Sequence, residues 1–540
     1  MRSRAIVTLA VLAAALVSGG WLLERGFSRG GSEVTRAHLF DQVFAHVQRD
    51  FVDTLSADAI YSKATEGMMR ELHDPYSTYL TTDRARRFSE TTSGFYGGVG
   101  IQVDVRNDAV IVITPMPGTP AERAGILAGD RIVSIDGKST AGWTFDDAVK
   151  SLRGLKGTKL TLLVERAGVG ERLPFTLVRD EIHVSSVRLP EMLNARVGYV
   201  ALTIFSDSSA GELRRAIETL RARGMKTLVL DLRSNPGGLL EQGVQISDLF
   251  LDPGQRIVSI RGRSSGSSHE FSDQSPQPWP DLSLVVLVNE SSASASEIVA
   301  GALQDHDRAV LIGNTTYGKG SAQSVWTFNE GSALKLTTAR WFTPAGRSIQ
   351  RKHPATAPAD DEDNADSLAA PAEKRAAYRT DGGRTVLGGG GIMPDVVLAR
   401  ADSVSADLAL SRALGKAIPK YRDALAEYAI ALRASKTITS PDFVPTQAMR
   451  EELWNRMRAH GVTIARAVYD SAHALVTRSL SDEITRYIFG PDRALARRLR
   501  DDRAIAAALE LTADASTERQ LLDRAAARHR IKIEGATTSR

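Results

Sequence analysis

Residues 289–323 hold the chain's most reactive combination of side chains: Asn289-Glu-Ser-Ser-Ala-Ser294-Ala-Ser-Glu-Ile, and then Thr316-Tyr-Gly-Lys319-Gly-Ser-Ala-Gln323. A serine, a lysine and a glutamine at this spacing suit a serine–lysine hydrolase. A lysine serves as general base for a serine only when burial keeps it neutral. Such a site recruits no histidine.

The elements around these residues must bring them together. Leu284–Asn289 reads as a buried strand, Ser294 to about Asp305 as a helix, and Arg308–Gly313 as a second buried strand. A βαβ unit of this kind has parallel strands. Its helix carries the chain about 18 Å away and the strand about 20 Å back. Lys319 therefore returns to the edge that holds Ser294. A third buried strand, Lys226–Leu232, runs to the same edge and into Arg233-Ser-Asn-Pro-Gly237-Gly238. Glycines there let backbone N–H groups approach a ligand. The N–H of Ala295 with that of Gly237 or Gly238 is expected to hold an oxyanion.

Competing readings exist for each feature. Ser294-Ala-Ser-Glu297 is also a capping box, in which Ser294 only caps a helix. Gly313–Gly320 nearly matches the phosphate-loop pattern G-x-x-x-x-G-K-[ST], and Leu228-Val-Leu-Asp231 resembles a magnesium-binding strand end. Against the nucleotide reading, Gly320 replaces the hydroxyl residue. A hairpin, Gln323–Phe328 with Ala333–Trp341, also follows where a helix is required.

The motifs resemble those of the carboxyl-terminal processing proteases, also called tail-specific proteases. The resemblance covers about residues 34–400 and rests on Asp231-Leu-Arg-Ser-Asn-Pro-Gly-Gly238, Ser292-Ala-Ser-Ala-Ser-Glu297 and Tyr317-Gly-Lys-Gly-Ser-Ala-Gln323. It implies that Ser294 is the nucleophile among Ser291, Ser292, Ser294 and Ser296. It implies Lys319 as general base and Gln323 as the residue that orients it. The fold class expected is an α/β protease core built of crotonase/ClpP-like βαβ units, with an inserted PDZ domain.

Residues 93–180 form that inserted unit. Gly97-Gly98-Val99-Gly100-Ile101 opens it, Pro120–Gly137 follows, and a short helix runs from Phe145 to Leu152. The Gly98, Val99, Gly100 and Ile101 loop reads as a nest of N–H groups that captures a peptide's C-terminal carboxylate while the peptide adds as a strand. By resemblance, Arg153 couples PDZ occupancy to the active site.

Either side of this core lie other segments. Arg2 and Arg4 precede a run without charge, Ala5–Leu23, which reads as a signal anchor or secretory signal over residues 1–24. The basic start leaves the rest of the chain outside the cytoplasm, tethered to the inner membrane or exported to the cell envelope. Residues 34–80 carry two amphipathic helices, whose stripes either pack on the core or, as the resemblance implies, pair two subunits in a homodimer. The core spans residues 181–400, with a charged, Ala/Pro-rich mobile loop over 351–387. Residues 401–540 read as an all-helical extension with a packing or oligomerisation role.

Composition excludes other classes. With 68 basic and 64 acidic residues among 540, the net charge is only +4, and no basic run interleaves with aromatics, so nucleic acid is not an expected partner. Ten scattered histidines and no cysteine give no metal site, and no cofactor is called for. The expected activity is endopeptidase cleavage near the C-termini of extracytoplasmic proteins. The alternative is a PDZ scaffold whose hydrolase core is silent. More remote is a nucleotide binder.

Overall fold

The computed structural model describes residues 35–351, 375–398 and 405–537, apart from the single positions 107, 167, 265 and 516. The uncharged run 5–23 lies outside these residues. No helix among the described residues is long and apolar enough to cross a membrane.

The chain divides into two units. The smaller comprises residues 1–85 and 323–337. Within it, a helix over 35–50 and the helix Ala57–Glu71 present apolar residues to solvent, among them Leu39, Phe40, Val43 and Met68. Strand Thr78–Leu80 pairs antiparallel with Ala333–Lys335.

In the larger unit, a two-stranded ribbon of β1 (Phe95–Gly98) and β7 (Asp180–His183) leads into and out of the inserted domain. Between them, β2 (Ile101–Arg106), β3 (Ala109–Pro115), β4 (Arg131–Ile135), β5 (Lys159–Glu165) and β6 (Leu173–Val178) form an antiparallel sheet in sequential order. Helix α1 (Phe145–Leu152) begins with a capping box of Thr144 and Asp147 and lies beside β2. Alternation along β3 serves two cores: Val110 and Val112 face the domain's own interior, whereas Ala109, Ile111 and Ile113 face outward.

The protease-like core is a six-stranded sheet in chain order: β8 (Val187–Met192), β9 (Val197–Leu202), β10 (Thr227–Asp231), β11 (Ser283–Val288), β12 (Val310–Gly313) and β13 (Val396–Val397). The first pair is antiparallel and the others are parallel. Crossovers carry α2 (Ser209–Ala222), α3 (Leu240–Asp248) and α4 (Ala295–Asp305). These helices cover one face through Leu228, Leu230, Val286 and Val288. A parallel sheet needs both faces covered. The other face, Val229, Val285, Leu287 and Ile312, is covered by the C-terminal extension through Leu499, Ile505, Ala508, Leu511 and Leu521.

The extension is helical, as the sequence pattern indicates. Helices α5 (Ile418–Ser435) and α6 (His473–Phe489) pack against each other and on the outward face of β3. Helices α7 (Arg503–Thr512) and α8 (Glu518–Thr537) lie on the core sheet. Most of the segment read as a mobile loop lies outside the described residues; its end, 375–387, carries a hairpin of Ala377–Arg379 with Thr385–Leu387. Arg384 fixes it to the core through ion pairs with Asp307 and with Asp395.

Candidate active site

The loop between β11 and α4 is laced to the loop after β10. Asn289 Oδ1 accepts from Ser234 N–H (2.7 Å), and Ser292 Oγ donates to the Leu232 carbonyl (2.8 Å). The Ala293 N–H (3.0 Å) and the Ser296 hydroxyl (2.9 Å) both donate to the Asn235 carbonyl. Ser292 and Ser296 thus spend their hydroxyls on backbone.

Ser294 differs from both. Its backbone has φ 57° and ψ −113°, away from the left-handed well that Asn and Asp tolerate. Such a residue costs about 1–3 kcal/mol and persists only where its surroundings impose it. The positions form a capping box in which the Glu297 carboxylate accepts from the Ser294 N–H (2.8 Å), and the Glu297 N–H also bonds the Ser294 carbonyl (2.9 Å). Ser294 itself is half-buried.

Glu297 is the organising side chain. It is fully buried in the first turn of α4. Oε2 accepts from Ser294 N–H (2.8 Å) and from Lys319 N–H (2.9 Å). Oε1 accepts from Gly318 N–H (2.7 Å) and from the Thr316 hydroxyl (2.5 Å). One oxygen therefore tethers the backbones of Ser294 and Lys319 to each other. Burial pushes this carboxyl above the usual range, against the pull of its four donors. Lys319 is half-buried, and its carbonyl accepts from Trp341 Nε1 (3.0 Å).

Two glycines close the other side. Gly237 has φ 93°, and a Cβ there would stand 2.8 Å from Ser294 Cβ and 2.9 Å from Ala295 N. At Gly238, φ 148°, a Cβ would meet the Phe205 carbonyl oxygen at 2.1 Å. Neither position admits a side chain. Their N–H groups differ in use. Gly237 N–H donates to Asn235 Oδ1 (2.9 Å). The N–H groups of Gly238 and Ala295 have no hydrogen-bond partner among the described residues.

Gln323 belongs to the smaller unit, where its side-chain amide donates to Thr337 Oγ1 (3.2 Å). The magnesium-like strand end is otherwise engaged: the Asp231 carboxylate accepts from Tyr199 (2.8 Å) and pairs with Arg233 (2.6 Å). Strand Ser321–Thr327 follows the glycine-rich segment, which lacks the helix that a phosphate loop needs.

In the PDZ loop, Gly100 has φ 74°, and a Cβ there would collide with Thr119 at 2.3 Å. The carbonyls of Val99 and Gly100 turn inward to Ala121 N–H (3.0 Å) and Met116 N–H (2.8 Å). Gly98 pairs with Asp180 in the ribbon. Arg153, at the end of α1, is ion-paired with Glu90 and lies 4.7 Å from the centre of the Tyr96 ring.

A family model for peptidase family S41 matches residues 196–358, and one for PDZ domains matches residues 111–166. The carboxy-terminal-processing protease of Bartonella bacilliformis is 41% identical over 315 residues, 58% of this chain and 72% of that protein. The carboxy-terminal processing protease CtpA of Bacillus subtilis is 37% identical over 352 residues, 64% of this chain and 74% of that one. The chain belongs to the carboxy-terminal processing proteases of peptidase family S41. A solved photosystem II D1 C-terminal processing protease is 28% identical, covering 67% of this chain and 92% of that one, with a TM-score of 0.35.

This protease is a serine-type peptidase with a PDZ domain. Sequence reasoning read Glu297 only as half of a capping box and did not single out Asn235. The S-x-x-E spacing signalled the first. The partners of Glu297 at Thr316, Gly318 and Lys319 are distant in sequence, so no local pattern marks them.

Proposed function

We propose that this protease is a Ser–Lys endopeptidase of the cell envelope that cleaves proteins near C-termini captured by its PDZ domain. The reading is carried by one observation: a single buried carboxylate oxygen, Glu297 Oε2, holds both the strained Ser294 backbone and the Lys319 backbone. Ser294 Oγ attacks the peptide carbonyl while Lys319 Nζ takes its proton. The tetrahedral oxyanion is held by the N–H groups of Ala295 and Gly238. Collapse expels the amine, which receives the proton from Lys319. Water repeats the sequence on the acyl-enzyme. Gln323 orients the lysine, and Arg153 relays PDZ occupancy. No metal or nucleotide takes part.

The tail is bound by the N–H groups of the Val99–Ile101 loop, with the substrate adding as a strand to β2. The uncharged run 5–23 exports the chain or anchors it in the inner membrane. The exposed apolar stripe at Leu39, Phe40 and Val43 pairs two copies, which light scattering of wild type against Phe40→Glu tests.

The central test is substitution. Ser294→Ala should abolish cleavage of an unstructured protein while leaving the fold intact, since the loss of a helix cap costs only about 1 kcal/mol. Lys319→Arg should be as inactive as Lys319→Ala, because arginine is not deprotonated near neutral pH. Ser291→Ala should retain activity. Wild-type cleavage by Ser294→Ala or by Lys319→Arg refutes the mechanism.

A further inference from the structure

Strand β2 is the end strand of the PDZ sheet: one edge pairs with β3, and no strand among the described residues occupies the other. A cleft of about 1190 Å³ opens along this free edge. One wall is the PDZ domain itself, through Val103 of β2 and Phe145, Val149 and Leu152 of α1. The opposite wall comes from the C-terminal extension, through Arg433 of α5 and Arg486, Tyr487 and Phe489 at the end of α6.

Strand alternation says what each wall touches. Val103 is buried in the PDZ core, whereas Gln102 and Asp104 face the other way. In β3, next to it, the outward residues Ala109, Ile111 and Ile113 pack on the extension. A peptide added to β2 alternates in the same manner. With its carboxylate on the Val99–Ile101 loop, the last and third-from-last side chains enter the groove beside α1. The penultimate and fourth-from-last side chains turn toward the extension. An isolated PDZ domain would leave these two in water; here they meet a wall.

The chemistry of that wall has a sign. Of the acids on the cleft, Asp104 pairs with Arg106 (2.8 Å) and Asp492 with Arg188 (3.7 Å), and Glu122, on the PDZ side, accepts from the Gly118 N–H (2.7 Å). Arg486 pairs with Glu483 (2.5 Å). Arg433 has no carboxylate partner among the described residues. It donates to the Ala128 carbonyl, while Asp130 is held by two nitrogens of Arg166, each at 2.7 Å. Tyr487 is 1% exposed, and its hydroxyl and the Arg486 Nε are buried, with no hydrogen-bond partner among the described residues. The wall thus offers the cleft one cation, Arg433, whose nearest carboxylate, Asp130, is already bound by Arg166.

We propose that the C-terminal extension is the second half of the tail-binding site, reading the penultimate and fourth-from-last side chains of the substrate and favouring acidic ones. This rests on the tail-recognition reading above. The test uses the full chain carrying Ser294→Ala, so that binding is read without cleavage, and fluorescent peptides of about ten residues, enough to span β2. One series places Asp, Ala or Lys at the penultimate and fourth-from-last positions. A second amidates the C-terminus.

Asp tails should bind about tenfold more tightly than Lys tails, the size of one charge-assisted contact at a half-buried site. Arg433→Glu should erase or invert the order. Equal affinity for Asp and Lys tails, with amidation still weakening binding, overturns the role of the extension and leaves tail recognition standing. Equal affinity for free-acid and amidated tails overturns both. The peptide series decides the matter on an unaltered wall, even if Arg433→Glu, which loses its bond to Ala128, loosens the extension.

Discussion

At Glu297 the demands of folding and of chemistry fall on the same atoms. Its carboxylate accepts four hydrogen bonds in a fully buried setting, two of them from the backbones of the proposed nucleophile and base. Glu297→Gln keeps the shape but turns an NH2 group toward one pair of donors. Leaving buried donors unmatched costs about 1–3 kcal/mol each. The variant should therefore melt measurably lower. Its kcat should fall at least tenfold on a short peptide, because Ser294 and Lys319 are no longer held by one oxygen. A variant that melts and cleaves like wild type would show that Glu297 is only a helix cap. Strand–helix–strand arithmetic brings the serine cluster and Lys319 to one edge, whereas the choice of Ser294 among Ser291, Ser292, Ser294 and Ser296 came only from the family resemblance. Which of Gly237 and Gly238 is free to donate was not legible, because the Asn235 side chain engages the Gly237 N–H and no spacing rule reports that.

Among the elements, the ribbon of β1 and β7 and its exit into β8 join the PDZ domain to the core, and Glu212 on α2 holds the exit. Its carboxylate accepts from the N–H groups of Ser186 (2.8 Å) and Val187 (3.2 Å), and from the hydroxyls of Ser185 (2.7 Å) and Ser208 (2.5 Å). Burial alone would raise this carboxyl; the hydroxyls of Ser208 and Ser185 and the Val187 N–H outweigh it and bring it down to about 2, from an ordinary 4.5. A carboxyl depressed in the folded state contributes its stability above the ordinary value and loses it as pH falls toward the depressed one. Wild type should therefore lose stability between about pH 4.5 and 2, and Glu212→Gln should be weaker at neutral pH with a flatter acid profile. Denaturant melts across that range decide it, and parallel wild-type and mutant profiles would count against it. Helix α1 was readable to the residue, because Phe145–Leu152 carries its own capping box. The hairpin over 377–387 was not. Its short strands are set in a charged, Ala/Pro-rich stretch and are held by Arg384, whose partners Asp307 and Asp395 lie on other elements.

Across the whole larger unit, the extension explains why the core strands read as continuous apolar runs. Val229, Val285 and Leu287 face away from α2–α4 and are buried only because α7 and α8 lie on them. The sequence offered amphipathic stripes without saying which surface they cover, since a helix stripe does not name its partner. The extension also reaches the proposed oxyanion loop through Asp502. Oδ1 caps α7, accepting from Ala504 N–H (2.8 Å) and Ile505 N–H (3.2 Å). Oδ2 accepts from Arg233 Nη1 (2.7 Å), one residue before the strained Ser234 and two before Asn235. The two oxygens separate the two roles. Asp502→Asn keeps a capping oxygen, since asparagine caps as well as aspartate, but gives up the charge on Arg233. Asp502→Ala loses both, at about 1–2 kcal/mol for the cap. If the extension steadies the oxyanion loop, both variants should lower kcat on a short peptide severalfold with KM nearly unchanged, and only the alanine variant should melt clearly lower. Wild-type kcat in Asp502→Asn would mean that Asp231 alone holds Arg233, and that the extension supports the sheet without touching the chemistry.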